Sequence, residues 1–156
     1  MPSPTPSPWP ELLALVGILA WAAPAGAQHG REIGVQATAT ASDPPLAVAG
    51  LYAALRTSAR TRVSAGLGAG ISGGELAGRW ELLGHFLLNP GQPRGAAFYF
   101  AGGLAAVAGP EPGGYLVLSA GLEERPGGAS GWALEVGVGG GFRVAAGYRW
   151  RSIRSP

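Results

Sequence analysis

From Arg31 onward, large apolar residues alternate with small or polar ones, and this period of two constrains the fold most strongly. The last segment shows it clearly, because arginines 143, 149 and 151 share one parity while the other parity carries Phe142, Val144, Ala146, Tyr148 and Trp150. Successive side chains on a strand point to opposite faces, so this segment is predicted as a strand with one apolar and one cationic face. Helices are disfavoured, because each glycine inside a helix costs about 1 kcal/mol relative to alanine.

Turn residues divide the region into eight segments that we predict as strands. They are approximately Glu32–Ser42, Leu46–Thr57, Arg62–Ser72, Glu75–Leu88, Ala96–Ala108, Tyr115–Glu124, Gly131–Gly139 and Gly141–Ser152. The connections between them are rich in glycine, proline, asparagine and aspartate, as turns are. Most segments have about ten residues, the length that a tilted strand needs to cross a bilayer. The second and fifth segments are rich in alanine on both faces, so their pattern does not assign an inner face.

Composition indicates which face of the strands points inward. Only 13% of the residues are charged and 28 are glycine, so the small and polar face would make a thin water-exposed surface for a soluble barrel. In a membrane barrel the large apolar face meets lipid, while small and polar side chains fill the interior. Eight strands leave room inside for side chains only. The sequence therefore predicts an all-β fold, an eight-stranded antiparallel up-and-down transmembrane β-barrel with a filled lumen.

The same assignment predicts a place for individual side chains. Those expected to face lipid or the membrane interfaces are Trp80, Phe86, Trp132, Leu134, Val136, Phe142, Val144, Tyr148 and Trp150. Charges of the opposite parity are expected to pair inside, because an unpaired buried charge is expensive. This structural network in the lumen is predicted to contain Arg79, Glu81, Glu135, Arg143 and Arg149. A hairpin at residues 139–141 would place Glu135 diagonal to Arg143 on the next strand, within reach of a long side chain.

Residues 1–27 have the pattern of a cleavable signal peptide, which leaves residues 28–156 as the barrel domain. An apolar run from Leu12 to Ala23 is followed by Ala25-Gly26-Ala27, the small-x-small pattern of a cleavage site before Gln28. The run is too short to cross a hydrocarbon core of about 30 Å as a helix. Because residues 1–11 contain no arginine or lysine, an uncleaved N-terminal anchor is the alternative interpretation.

With a leader, eight short alternating segments and inverted polarity, the chain resembles the small outer-membrane β-barrel proteins of Gram-negative-type bacteria over about Arg31 to Ser152. The resemblance implies location in the bacterial outer membrane, contact with outer-membrane lipid, and insertion by the barrel-assembly machinery. Trp150 matches the final aromatic residue of such proteins, although residues 151–156 follow it. With a periplasmic N-terminus, the outer connections at 43–45, 73–74, 109–114 and about 140 are short, which disfavours a receptor or an adhesin.

Catalytic, metal and nucleic-acid sites have little support in the sequence. His85 is the candidate catalytic imidazole of a lipid-modifying enzyme. However, Glu81 is about 13 Å away along the strand, and Leu87 occupies the position where barrel deacylases keep a serine. Two distant histidines and no cysteine do not make a metal site. The glycine runs lack the ending of a phosphate loop, and the arginines are scattered instead of forming a nucleic-acid patch.

The leading hypothesis is therefore a non-enzymatic integral outer-membrane barrel, of structural or membrane-associated role, with no cofactor, no nucleic acid and no specific protein partner. One alternative is a soluble periplasmic β-barrel that binds a small apolar ligand in its interior. Others are a lipid-modifying outer-membrane enzyme and a barrel completed by another chain.

Overall fold

The computed structural model describes residues 30–152, so the predicted signal peptide lies outside the described residues. The described chain forms eight strands, each within two residues of its predicted bounds. They are β1 Arg31–Ala41, β2 Leu46–Arg56, β3 Thr61–Ser72, β4 Glu75–Leu87, β5 Ala96–Ala108, β6 Gly113–Glu124, β7 Ser130–Val138 and β8 Phe142–Ser152. The bounds agree because the alternation of side chains stops where proline and glycine begin the connections. Residues 30–152 include no helix that is long and apolar enough to cross a membrane.

The eight strands close into one up-and-down barrel. Each strand pairs antiparallel with the next, and β1 pairs with β8 from Arg31 opposite Ser152 to Ala41 opposite Phe142. This closure confirms the predicted fold class, and the chain completes the barrel without strands from another chain. We call the end where β1 begins and β8 ends the terminal mouth, and the opposite end the hairpin mouth.

All four connections at the hairpin mouth are short, as the sequence predicts. They span residues 42–45, 73–74, 109–112 and 139–141, while the terminal mouth has connections of residues 57–60, 88–95 and 125–129. The tightest is Gly73-Gly74, where both residues have positive φ (59° and 90°). A two-residue hairpin of type I′ needs positive φ at both positions, which glycine adopts without strain.

The large apolar side chains lie on the outside of the barrel. In residues 30–152, 21 large hydrophobic residues are exposed, and every strand contributes at least one. Leu67 is 70% exposed, Leu118 65% and Leu134 50%. Soluble monomers rarely expose contiguous apolar patches above a few hundred Å², whereas here the apolar surface continues around all eight strands.

The structure assigns faces to the two strands that the sequence pattern left open. On β2, Leu51 points outward, while Tyr52 and Ala54 point inward. On β5, Phe98 and Phe100 are exposed, and Tyr99 between them is buried. Residues paired across neighbouring strands share a face, so the pairing of Phe100 with Phe86 fixes the face of β5.

Candidate functional site

One cluster of ion pairs crosses the lumen and reaches the hairpin mouth through Arg79, which donates to the carbonyl oxygen of Gly139; we call it the central cluster. It consists of Arg79, Glu81, Glu135 and Arg143. The guanidinium of Arg143 bridges the two carboxylates, with Nη1 on Glu135 Oε1 and Nη2 3.3 Å from Glu81 Oε2. Arg79 Nε lies 2.6 Å from Glu81 Oε1, and the Tyr99 hydroxyl donates to Glu135 Oε2 at 3.0 Å. Two arginines therefore balance two carboxylates, and Arg143 is fully buried.

A second group of ion pairs, the terminal cluster, fills the lumen at the terminal mouth. It contains Glu32, Arg56, Arg62, Glu123, Arg149 and Arg151. Arg62 Nη1 joins the two carboxylates, 3.0 Å from Glu32 Oε2 and 2.7 Å from Glu123 Oε2. Arg151 Nη2 is 2.7 Å from Glu32 Oε1, and Arg149 Nη2 is 3.0 Å from Glu123 Oε1.

Four arginines face only two carboxylates in the terminal cluster, and backbone carbonyl groups accept further hydrogen bonds from two of the guanidinium groups. Arg149 Nη2 donates to the carbonyl oxygen of Arg125 at 2.7 Å, and Arg56 Nη2 donates to that of Pro126 at 2.9 Å. Both acceptors belong to the β6–β7 connection. The carbonyl dipoles of this connection therefore stabilise part of the excess positive charge at the terminal mouth.

The five charged residues predicted for the lumen all point inward and are buried, but they do not form one network. Arg79, Glu81, Glu135 and Arg143 come together, and Glu135 is diagonal to Arg143 across the β7–β8 ladder. Arg149 belongs to the terminal cluster, because six residues along a strand separate it from Arg143 by about 20 Å. The nine predicted lipid-facing or interfacial residues all lie on the outward parity of their strands.

Sequence reasoning missed five members of the terminal cluster. They are Glu32, Arg56, Arg62, Glu123 and Arg151. Each lies on the inward parity of its strand. This parity was readable from the sequence for four of them, whereas Arg56 lies on β2, whose pattern does not assign an inner face. Their common height in the barrel depends on the stagger between strands, which places the start of β1 beside the ends of β2 and β8.

The His85 side chain points into the lumen and makes a contact that was not predicted from the sequence. His85 Nε2 is 2.8 Å from Ser64 Oγ on β3, and Arg62 Nη2 approaches His85 Nδ1 at 3.4 Å. A guanidinium only donates hydrogen bonds, so Nδ1 is the acceptor and Nε2 carries the proton donated to Ser64. In this tautomer Nε2 donates to Ser64 Oγ and does not accept its proton.

Small cavities separate these side chains. One of about 40 Å³ lies between the two clusters and is lined by Ser64, His85, Tyr99 and other polar groups. Another, of about 30 Å³, lies beside Arg79 and Thr38. Such spaces have room for a few water molecules, whereas ligand pockets typically measure about 300–1,000 Å³. The interior thus has no room for a small apolar ligand at these places.

Tyr99 is held beside the central cluster by a glycine on the neighbouring strand. A Cβ at Gly121 would lie 2.3 Å from the Tyr99 ring, so only glycine fits there. We expect Gly121→Ala to displace the ring, to break its bond to Glu135, and to lower the free energy of unfolding by about 1–3 kcal/mol. Urea unfolding measures the change. Gly84→Ala is the matched control, because a Cβ there meets nothing closer than 3.7 Å; equal effects of both variants would contradict this packing.

Comparison with solved structures assigns the architecture to a known fold. The barrel aligns with the N-terminal β-barrel domain of Pseudomonas aeruginosa OprF at a TM-score of 0.63 and 12% sequence identity, over 80% of this chain and 100% of that one. The chain has the fold of the small outer-membrane β-barrels. No family model and no curated protein matches its sequence. At this low identity the two proteins share the outer-membrane barrel fold. The two ion-pair clusters in the lumen are described for this chain only.

Among the described residues, the lumen is the region in which groups of four or more ionisable side chains lie close together. In residues 30–152, no group of three or more histidines and carboxylates is arranged to hold a metal ion. The chemistry of the two clusters is that of guanidinium–carboxylate pairing, which is strong and geometrically specific. This arrangement fastens opposite walls of the barrel to one another.

Proposed function

We propose that this protein is an integral barrel of the bacterial outer membrane whose role is structural or membrane-associated, with a lumen closed by ion pairs. The single observation that carries the proposal is the inverted polarity. Within residues 30–152, ten charged side chains form two clusters inside the barrel, while 21 large apolar side chains cover its outside. In water this distribution is unfavourable, but in a bilayer it is the distribution expected of a membrane barrel.

The predicted lipid-facing residues support the proposal by their distribution along the strands. Leu134, Val136 and Val144 lie midway or toward the hairpin mouth, where they would meet acyl chains. Tyr148 and Trp150 pack edge to face at 5.0 Å near the terminal mouth, the position of an interfacial girdle. Outer-membrane lipid is therefore the partner that this surface fits, and insertion would use the barrel-assembly machinery.

The proposed role is neither catalytic nor that of an open pore. Arg143 and Arg62 each span carboxylates on opposite sides of the lumen, so both clusters obstruct a passage along the barrel axis. The tautomer of His85 gives Ser64 no base. A soluble carrier of an apolar ligand lacks support, because the lumen cavities hold only a few waters.

Cell fractionation and heat modifiability test the proposal. We expect the native protein to sediment with outer membranes, to need detergent for extraction, and to migrate faster on a gel when unheated than when boiled. A closed membrane barrel resists dodecyl sulfate at room temperature and stays compact, whereas a soluble periplasmic barrel appears in the detergent-free fraction. Recovery of the folded protein in that soluble fraction would rule the proposal out.

A further inference from the structure

The two mouths of the barrel carry opposite charge. In the described residues, eight of the ten arginines lie at the terminal mouth against three carboxylates, an excess of five positive charges. The hairpin mouth carries three exposed carboxylates, Asp43, Glu75 and Glu111, and no exposed arginine within those residues. The central cluster between the mouths is neutral. Positive and negative charges of the described chain are therefore separated along the barrel axis.

Four of the arginines at the terminal mouth are exposed and distributed around its rim. They are Arg31, Arg60, Arg94 and Arg125. One begins β1, and each of the other three lies in one of the three connections at this mouth. Within residues 30–152, Arg125 has a carboxylate partner at the rim, Glu124 at 3.3 Å, and the other three have none within ion-pair distance. Behind this rim the terminal cluster adds four arginines and two carboxylates, so the whole mouth presents a positive potential.

Outward-facing aromatic rings form a band directly next to this arginine rim. Of the eight outward aromatic residues on the described strands, six lie in the half of the barrel near the terminal mouth. These six are Phe86, Phe98, Phe100, Trp132, Tyr148 and Trp150. Aromatic girdles mark the depth of lipid headgroups. The exposed arginines thus lie at the level where phosphate groups begin, on the water side of the aromatic band.

We propose that the arginine rim of the terminal mouth binds the phosphate groups of anionic phospholipids in the leaflet that surrounds it. This inference rests on the proposed function, since it requires the barrel to span a bilayer. Arginine matches the geometry of phosphate bidentately, and anionic lipid surfaces attract each nearby basic residue. The binding would retain anionic lipid around the terminal mouth and hold this end at its interface.

The arrangement favours a lipid over an acidic protein or a nucleic acid as the anionic partner. The arginines are spaced around the circumference, in β1 and in three separate connections, and do not form one compact patch. A ring of lipid headgroups surrounds the barrel in the same way, and it meets the aromatic band and the arginine rim together. A macromolecule docked on the mouth would engage the rim without the outward aromatic rings.

Electron paramagnetic resonance with spin-labelled lipids tests this inference on the full chain. The chain is folded into vesicles of equimolar phosphatidylcholine and phosphatidylglycerol, and the association constants of the two labelled lipids at the protein surface are compared. We expect phosphatidylglycerol to be favoured by about two- to threefold over phosphatidylcholine, and we expect added salt to reduce the preference. The variant R31Q/R60Q/R94Q/R125Q should bring the ratio close to one.

The variant D43N/E75Q/E111Q is the matched control, because it changes exposed charges at the hairpin mouth and should not lower the preference. A wild-type ratio of one, or a preference unchanged in the arginine variant, would overturn the inference. Spin-labelled lipid A is measured as a third probe, and selectivity for it without selectivity for phosphatidylglycerol would also overturn the inference, by assigning the rim to the other lipid source. Heat modifiability is recorded for every sample. Failure of the wild type to insert contradicts the proposed function, whereas insertion without selectivity contradicts this inference alone.

Discussion

Replacing Arg143 with methionine should lower the free energy of unfolding by about 3–5 kcal/mol, because it leaves two buried carboxylates without their shared cation. Arg143 is fully buried and contacts both Glu81 and Glu135. In the variant, Glu135 keeps only the Tyr99 hydroxyl, and Glu81 keeps only Arg79. Methionine preserves most of the apolar stem, so the loss reports the charge and not a cavity. Urea titration of the barrel in detergent or vesicles measures the effect.

Two further variants make this experiment specific to the central cluster. Adding Glu135→Gln to Arg143→Met removes one of the stranded charges, so the double variant should recover part of the lost stability, as expected of directly coupled residues. Glu111→Gln is the control, because Glu111 is exposed in the β5–β6 connection and belongs to neither cluster; surface substitutions of this kind usually stay within about 0.5 kcal/mol. Equal stability of all three proteins would show that the central cluster does not hold the barrel together.

Leu134→Arg should destabilise the barrel in a bilayer by about 2–4 kcal/mol, the cost of an arginine near the membrane midplane. Leu134 is the fifth of nine residues in β7, points outward and pairs with Leu122 and Ala146. The free-energy cost of an outward arginine depends on its depth in the membrane, so Leu76→Arg is the control. Leu76 is the second residue of β4, next to the hairpin mouth, and this substitution should cost only about 0–1 kcal/mol.

The comparison of these two arginine variants separates a membrane barrel from a soluble one. On the surface of a soluble barrel, either substitution replaces an exposed leucine with a charge and improves its solvation. Folding into phosphatidylcholine vesicles, followed by urea titration, gives both values. If Leu134→Arg were as stable as Leu76→Arg, the outward apolar face would not be in contact with acyl chains.

Much of the barrel could be predicted because side-chain parity is a local property. On β8 the alternation of Phe142, Val144 and Tyr148 with arginines identified both faces without information from any other strand. On β2 and β5 alanine and glycine occupy both parities, so local information is weak there. Their faces depend on pairing with neighbours, such as Phe100 opposite Phe86, which a single sequence does not specify.

The grouping of charges was less predictable than their inward direction. Arg149 was expected with Arg143 because both share a strand and a parity, yet each pairs with carboxylates at its own height. Height along the barrel follows from the stagger of all eight strands, which is a property of the closed sheet. The Ser64–His85 contact has the same origin, since the register places Ser64 opposite Leu83, diagonal to the histidine.

Cysteine labelling is the most direct test of a membrane-spanning barrel with its apolar face outward, because the chain contains no native cysteine. Single cysteines are placed at Leu67, Leu104 and Leu134, which lie outward on β3, β5 and β7, and in the hairpin connection at Glu111. In outer-membrane vesicles, we predict that a charged, water-soluble maleimide modifies only the cysteine at position 111, while a lipid-soluble maleimide modifies the other three. Rapid modification of all four positions by the charged reagent would contradict the account.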